Sequence, residues 1–95
     1  MKKVFICSPL RGDIEANQEN ARNYAKEAVK GGYLPIVPHI YFTQFLDDSV
    51  ANERQLGINM GIELMKECDE MWIHGQPSEG MKQEIQAFQG KKVWK

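Results

Sequence analysis

The sequence predicts an α/β fold: a small three-layer sandwich in which a four-stranded parallel sheet lies between helices. Three observations predict it. Short apolar runs alternate with longer amphipathic runs in the order β-α-β-α-β-α-β, which implies a parallel sheet with right-handed crossovers. The 95 residues carry no internal repeat, low-complexity segment or linker, so residues 1–95 are expected to form a single domain. The composition, 42% hydrophobic and 26% charged, is that of a chain able to bury a core. A chain this short buries only about 60–65% of its unfolded surface, so association with further copies is an expected way to bury more.

The elements follow in order. "KKVFICS" is rich in β-branched and aromatic residues and ends in the turn-like "SPLRGD", a buried strand followed by a loop. Residues 14–30 read as a helix with Asp13 as N-cap. Ala21, Tyr24, Ala25, Ala28 and Val29 share its apolar face, and Gly31 and Gly32 stop it. "YLPIVPH" is a short second strand whose two prolines limit pairing. "IYFTQFLDDSVANER" reads as a loop with an aromatic load, Tyr41, Phe42 and Phe45, that either covers the core or lines a site. Residues 52–67 form a second long helix with two apolar stripes: Leu56, Met60 and Leu64, and Ile58, Ile62 and Met65. One stripe suits the sheet and the other a second subunit. Gly57 and Gly61 allow a close helix approach. "CDEMWIHG" is the third strand, "SEGMKQEIQAFQG" the last helix, and "KKVW" a fourth strand.

Composition also excludes function classes. A net charge of −1 lacks the basic surplus of a nucleic-acid polymer binder. No apolar run approaches the roughly 18 residues of a membrane-spanning helix. "MKKVFICSPL" begins like a signal peptide but breaks at Pro9 and Arg11, so the strand is the better reading. Cys7 and Cys68 are far apart, with no CxxC and no nearby His, and read as two buried, reduced thiols in a cytoplasmic protein. No metal set and no cofactor motif are visible. The Walker A and GxGxxG patterns are both absent.

In a doubly wound sheet of this flavodoxin- or Rossmann-like kind, ligands bind beyond the carboxyl ends of the strands, where the strand order reverses. "SPLRGD", "PHIYFTQFLDD" and "GQPSEG" converge there. The first joins a strand to a helix N-terminus, which favours an anion. Arg11 either grips a phosphate or is simply solvated, and Gly12 lets the backbone approach closely. His39 is either a hydrogen-bonded structural group or a ligand contact. Asp47 and Asp48 cap the following helix or face solvent. Asn59 and Glu63 make a narrow solvated stripe on it. Ser78 is a natural N-cap of the last helix, with Glu79 favourable in its first turn. At 100° per residue, Glu84 flanks the face of Met81, Ile85 and Phe88. Its side chain leans back toward the mouth of the sheet. The alternative is a surface Glu paired with Lys82 or Lys91.

Taken together, "CSPLRGD", "GGYLPIVPH", "CDEMWI" and the Ser78, Gly80, Glu84 spacing resemble the nucleoside 2-deoxyribosyltransferase-like superfamily. The likeness is to its short DUF4406-type branch, often encoded by phages or bacteria, and to the 2′-deoxynucleoside 5′-phosphate N-hydrolases. The resemblance spans nearly the whole chain. It implies a nucleoside or nucleotide ligand and hydrolysis or transfer at its N-glycosidic bond, with Glu84 as the nucleophile. It also implies Ser8, Arg11 and Gly12 at the phosphate- or sugar-binding positions, with His39, Ser78, Gly80 and Met81 completing the substrate contacts. It further implies a homodimer or higher homo-oligomer whose neighbouring subunit completes the pocket. One departure matters. The resemblance calls for an Asp on the second long helix, and counting back from Asp69 gives Gly61; Glu63, Asn59, Asp47 and Asp48 are the substitutes on offer, none of them in register. A non-catalytic protein that holds a nucleotide-derived molecule is therefore the alternative.

Overall fold

The structure, a computed structural model describing residues 1–95, is built around two central strands. These are β1 (Lys3–Cys7) and β3 (Glu70–Ile73), paired in parallel with Val4 opposite Glu70 and Cys7 opposite Ile73. β2 (Leu34–Ile36) flanks β1 and β4 (Lys91–Trp94) flanks β3, giving an all-parallel sheet in the order β2-β1-β3-β4. The order reverses between β1 and β3, which makes their carboxyl ends the topological switch point.

Side chains of a strand alternate between the two faces of the sheet, and the core divides accordingly. On one face Phe5, Cys7, Met71 and Ile73 pack with Met65, Met81 and Phe88. This face is covered by α3 (Ala51–Met65) and α4 (Glu79–Ala87). On the other face Val4, Ile6 and Trp72 pack with Ala28 of α1 (Ile14–Lys30), backed by Tyr24 and Tyr33. Helices on both faces make the three layers. Because β1 is covered on both sides, its Val4–Cys7 run is apolar without alternation, and all four side chains have no exposed surface.

Two polar groups enter this core. Glu70 is buried but accepts hydrogen bonds from Trp72 Nε1 (3.1 Å) and the Tyr33 hydroxyl (3.2 Å). These bonds, that of Trp72 first, hold its carboxyl below the usual carboxylate range despite the desolvation that opposes them. His74 stacks on Tyr24 with ring centroids 3.7 Å apart, and its buried Nε2 has no hydrogen-bond partner.

Asp13 caps α1 as expected, its Oδ1 accepting from the Ala16 N–H at 3.1 Å. Ala21 and Ala28 are fully buried, whereas Val29 is exposed. At 100° per residue Val29 lies at the margin of the stripe centred on Ala21 and Ala28. β2 is an edge strand of three residues, which is how it tolerates Pro35.

Three further expectations need correction. The segment after β2 is not a plain loop. Pro38 sets the first position of a one-turn helix, α2 (Pro38–Tyr41), continued by a 3₁₀ turn over Phe42–Gln44. Its aromatics do not cover the core: Tyr41 and Phe45 are exposed, and Phe45 packs edge-on against Tyr41 and Phe42, which are tilted to each other. Neither Asp47 nor Asp48 caps α3, whose N-cap is Val50 and carries no side-chain cap. Finally, Cys7 is buried but Cys68 only half-buried, its thiol donating to the Leu64 carbonyl at 3.6 Å; both cysteines are free. On α3, Gly61 and Met65 face inward, while Leu56 and Leu64 of the outer stripe remain exposed. No helix is long and apolar enough to cross a membrane.

Candidate functional site

The loops leaving β1 and β3 touch at the switch point. Gly75 has φ +76°, and a Cβ there would lie 3.2 Å from the Pro9 ring. The positive φ favours glycine strongly, and any Cβ there would press on the Pro9 ring. Beyond this contact opens a cleft of about 460 Å³. It is walled by the β1 loop, by α2 with the following turn, by α3 and by the N-terminal end of α4. Seven residues picked out in the sequence line it: Ser8, Arg11, His39, Ser78, Gly80, Met81 and Glu84. Gly12 does not. Its φ of +96° serves the turn that carries the chain from β1 into α1.

Glu84 is held by its place on α4 and by what surrounds its head. The Cys7 thiol, fully buried at the end of β1, donates to Oε1 at 3.5 Å. A Cβ on Gly61 would lie 3.4 Å from Oε2, so α3 backs the carboxyl closely. No cation comes within ion-pair distance, since Lys82 instead meets Glu79 at 3.8 Å on the surface. The surface-pair alternative for Glu84 is thus not the one the fold adopts. Burial raises the Glu84 carboxyl to about 7, against a smaller lowering by the Cys7 hydrogen bond. Burial first, then the adjacent carboxylate, also push the Cys7 thiol up, which makes it a hydrogen-bond donor rather than a thiolate.

His39, the second residue of α2, shares a 3.2 Å hydrogen bond between Nε2 and Ser8 Oγ. Burial lowers it to about 4, so it is neutral at pH 7. Ser78 caps α4, its Oγ accepting from the Met81 N–H at 3.3 Å. At Gly80 α4 runs beside α3, where a Cβ would make ordinary contact with Ile58 Cδ1 at 3.5 Å. Met81 is almost fully buried and joins the cleft to the core. Arg11 is largely exposed and pairs through Nε with Asp48 Oδ2 at 3.5 Å.

Three more cleft residues carry chemistry: Arg54, which the sequence did not single out, Asp48, which it read as a cap or solvent-facing, and Phe42, for which lining a site was one of two readings. Asp48 lies inside the site rather than at a helix cap. Arg54 reaches the cleft from α3. Phe42 adds an aromatic wall. The alternation along β1, which puts Cys7 on the same face as Phe5, was the available signal for the thiol beside Glu84. No group of three or more His, Cys, Asp or Glu side chains is gathered as a metal ion would need. Chemically, the cleft offers a partly desolvated carboxyl whose proton affinity burial has raised toward neutrality, a neutral imidazole and polar groups at a helix N-terminus.

Comparison with known proteins fixes the family. The model of DUF7768, a domain of unknown function, matches residues 2–94. The chain belongs to the DUF7768 family. No curated protein matches it by sequence. Among solved structures, a 2-deoxyribosyltransferase from the psychrotolerant bacterium Bacillus psychrosaccharolyticus superposes with a TM-score of 0.60 at 15% identity. The match covers 90% of this chain and 63% of that one. At this identity the likeness is one of fold. The all-parallel sheet order and the helices on both faces are those of a flavodoxin-like α/β fold, which this chain shares with that enzyme.

Proposed function

We propose that the chain acts on the N-glycosidic bond of a (deoxy)nucleoside or nucleotide, with Glu84 as nucleophile. One observation carries this reading. A carboxyl with no cationic partner sits beside a cleft at the switch point of the sheet, and burial has brought its proton affinity close to neutrality. In the ionised form a Glu84 oxygen attacks the anomeric carbon. The C–N bond breaks, its electron pair leaves with the base, and a glycosyl ester remains. Water or a second base then opens the ester and frees the carboxylate. His39 and Ser8 contact the sugar or base in this reading. Ser78 and the amides near Gly80 receive the 5′ end, Met81 borders them, and Gly12 shapes the loop that carries Arg11. Kinship with the short DUF4406-type branch, often of phage or bacterial origin, belongs to the same reading.

A second reading has its own support. Gly61 stands 3.4 Å from Glu84 Oε2 by its would-be Cβ, and it brings no acid to the departing base. A protein that holds a nucleotide-derived molecule without turnover fits that gap. Self-association fits the exposed outer stripe of α3, Leu56 and Leu64. The two free thiols fit a reducing, cytoplasmic setting.

The test is to incubate the protein with a panel of deoxynucleosides and their monophosphates and follow free base by chromatography, beside Glu84→Ala. Base release that disappears in the variant supports the enzyme. Thermal stabilisation by a ligand without base release supports the binding protein, and neither effect refutes both readings. Size-exclusion chromatography at micromolar concentration tests the association, and a monomer would refute it.

A further inference from the structure

We propose that Asp48 is a specificity-determining residue that neutralises Arg11 and makes the cleft select an uncharged nucleoside over its 5′-monophosphate. The inference rests on the nucleoside reading above and sharpens its substrate class. Arg11 is the cation that the loop after β1 would offer to a phosphate, but its guanidinium already meets the Asp48 carboxylate at 3.5 Å. The Asp48 side chain is only 15% exposed and that of Arg11 62%, so the carboxylate is the more deeply placed charge. A phosphate approaching Arg11 from the cleft therefore meets Asp48 as well.

The remaining charges act in the same direction. Besides Arg11 and Asp48, the cleft is lined by Arg54, Glu53, Glu79 and Glu84. Two guanidiniums against four carboxylates leave a net charge of −2 with Glu84 ionised and −1 with it protonated. The helix N-termini, which elsewhere serve as phosphate seats, are supplied with the chain's own acids. Asp13 caps α1, with Glu15 in its first turn. Glu53 lies in the first turn of α3 and accepts from the Asp47 N–H at 2.9 Å. Ser78 caps α4, with Glu79 in its first turn. A dianionic phosphate would lie against like charge at the α1 and α3 positions, Glu79 of α4 being paired with Lys82 at 3.8 Å on the surface, whereas a neutral sugar hydroxyl can donate to the same carboxylates.

The experiment is isothermal titration calorimetry at fixed ionic strength. The ligands are 2′-deoxynucleosides, their 5′-monophosphates and inorganic phosphate; the proteins are wild type, Asp48→Asn and the double variant Asp48→Asn/Arg11→Ala. Asp48→Ser serves as a second substitution should the amide perturb the loop. For wild type, nucleosides are expected to bind at least about tenfold more tightly than their monophosphates. Asp48→Asn shifts that ratio toward the monophosphate by about tenfold or more, and adding Arg11→Ala removes the gain. A monophosphate that binds wild type more tightly than its nucleoside overturns the proposal. So does a ratio unchanged in both Asp48 variants. Binding of neither ligand class to any variant overturns the nucleoside reading itself, a result distinct from a wrong preference.

Discussion

Replacing Glu84 by Gln removes a titrating carboxyl from the cleft while keeping the shape of the side chain and an oxygen for the Cys7 thiol. Burial has moved that carboxyl from an ordinary 4.5 to about 7. Between these values the folded chain keeps a proton that the unfolded chain has released. The stability that Glu84 contributes is therefore fully present below pH 4.5 and is lost as pH rises through 7. At 1.36 kcal/mol per pH unit the loss is about 3 kcal/mol. His39 works the other way. Its move from 6.5 down to about 4 means that the unfolded chain holds the extra proton, so stability falls as pH drops from 6.5 toward 4. In wild type the two effects oppose each other between pH 4.5 and 6.5. In Glu84→Gln only the His39 effect remains. Any cost of burying the amide is the same at every pH and drops out of the comparison. Relative to wild type, the variant should therefore gain about 2–3 kcal/mol between pH 5 and pH 8, a change in the Tm difference on the order of 10 °C for a chain of this size. Thermal unfolding followed by circular dichroism across that range measures it. A Tm difference that stays constant from pH 5 to 8 would show that the carboxyl is not held in its neutral form by burial, and the reasoning fails.

Three further outcomes are expected. If base release is observed, its kcat/KM should rise with pH to a plateau with a midpoint near 7, because the nucleophile must be ionised; a rate that falls through pH 7 would assign Glu84 the role of acid instead. Gly61→Asp puts a second carboxyl beside Glu84 Oε2 and should raise base release at least about tenfold if a missing acid limits turnover; an unchanged rate argues against that explanation. His74→Phe keeps the ring stacked on Tyr24 and removes the unpaired buried Nε2. It should raise stability by about 1 kcal/mol, or roughly 5 °C in Tm, and a fall in Tm would mean that Nε2 has a partner after all.

The sheet and the helices on both its faces were legible because they rest on local pattern. The apolar Val4–Cys7 run, the Gly31–Gly32 stop and the Asp13 and Ser78 caps each lie within a few residues of what they determine. Glu84's lean toward the mouth of the sheet followed from helix geometry alone, and it does line the cleft. What stayed hidden depends on distant partners. Cys7 and Glu84 are 77 positions apart, and the Arg11–Asp48 pair joins two loops whose conformations no periodicity reports. The helical turn after Pro38 was missed because two prolines and a run of aromatics resemble a loop by composition, although Pro at a first helical position is a helix start. Val29 was misplaced because an alternation of small and large apolar residues does not locate the edge of a stripe.

The two rims of the sheet bear on how copies of the chain can meet. Along β2, Pro35 withholds an N–H from any incoming strand. Along β4, Lys91 and Lys92 stand in solvent, and a strand added there would have to desolvate or repel them. Edge-to-edge growth into a ribbon or fibre is thereby discouraged on both sides. Stacking of one molecule on another is left to helical surfaces, such as the exposed leucines of α3.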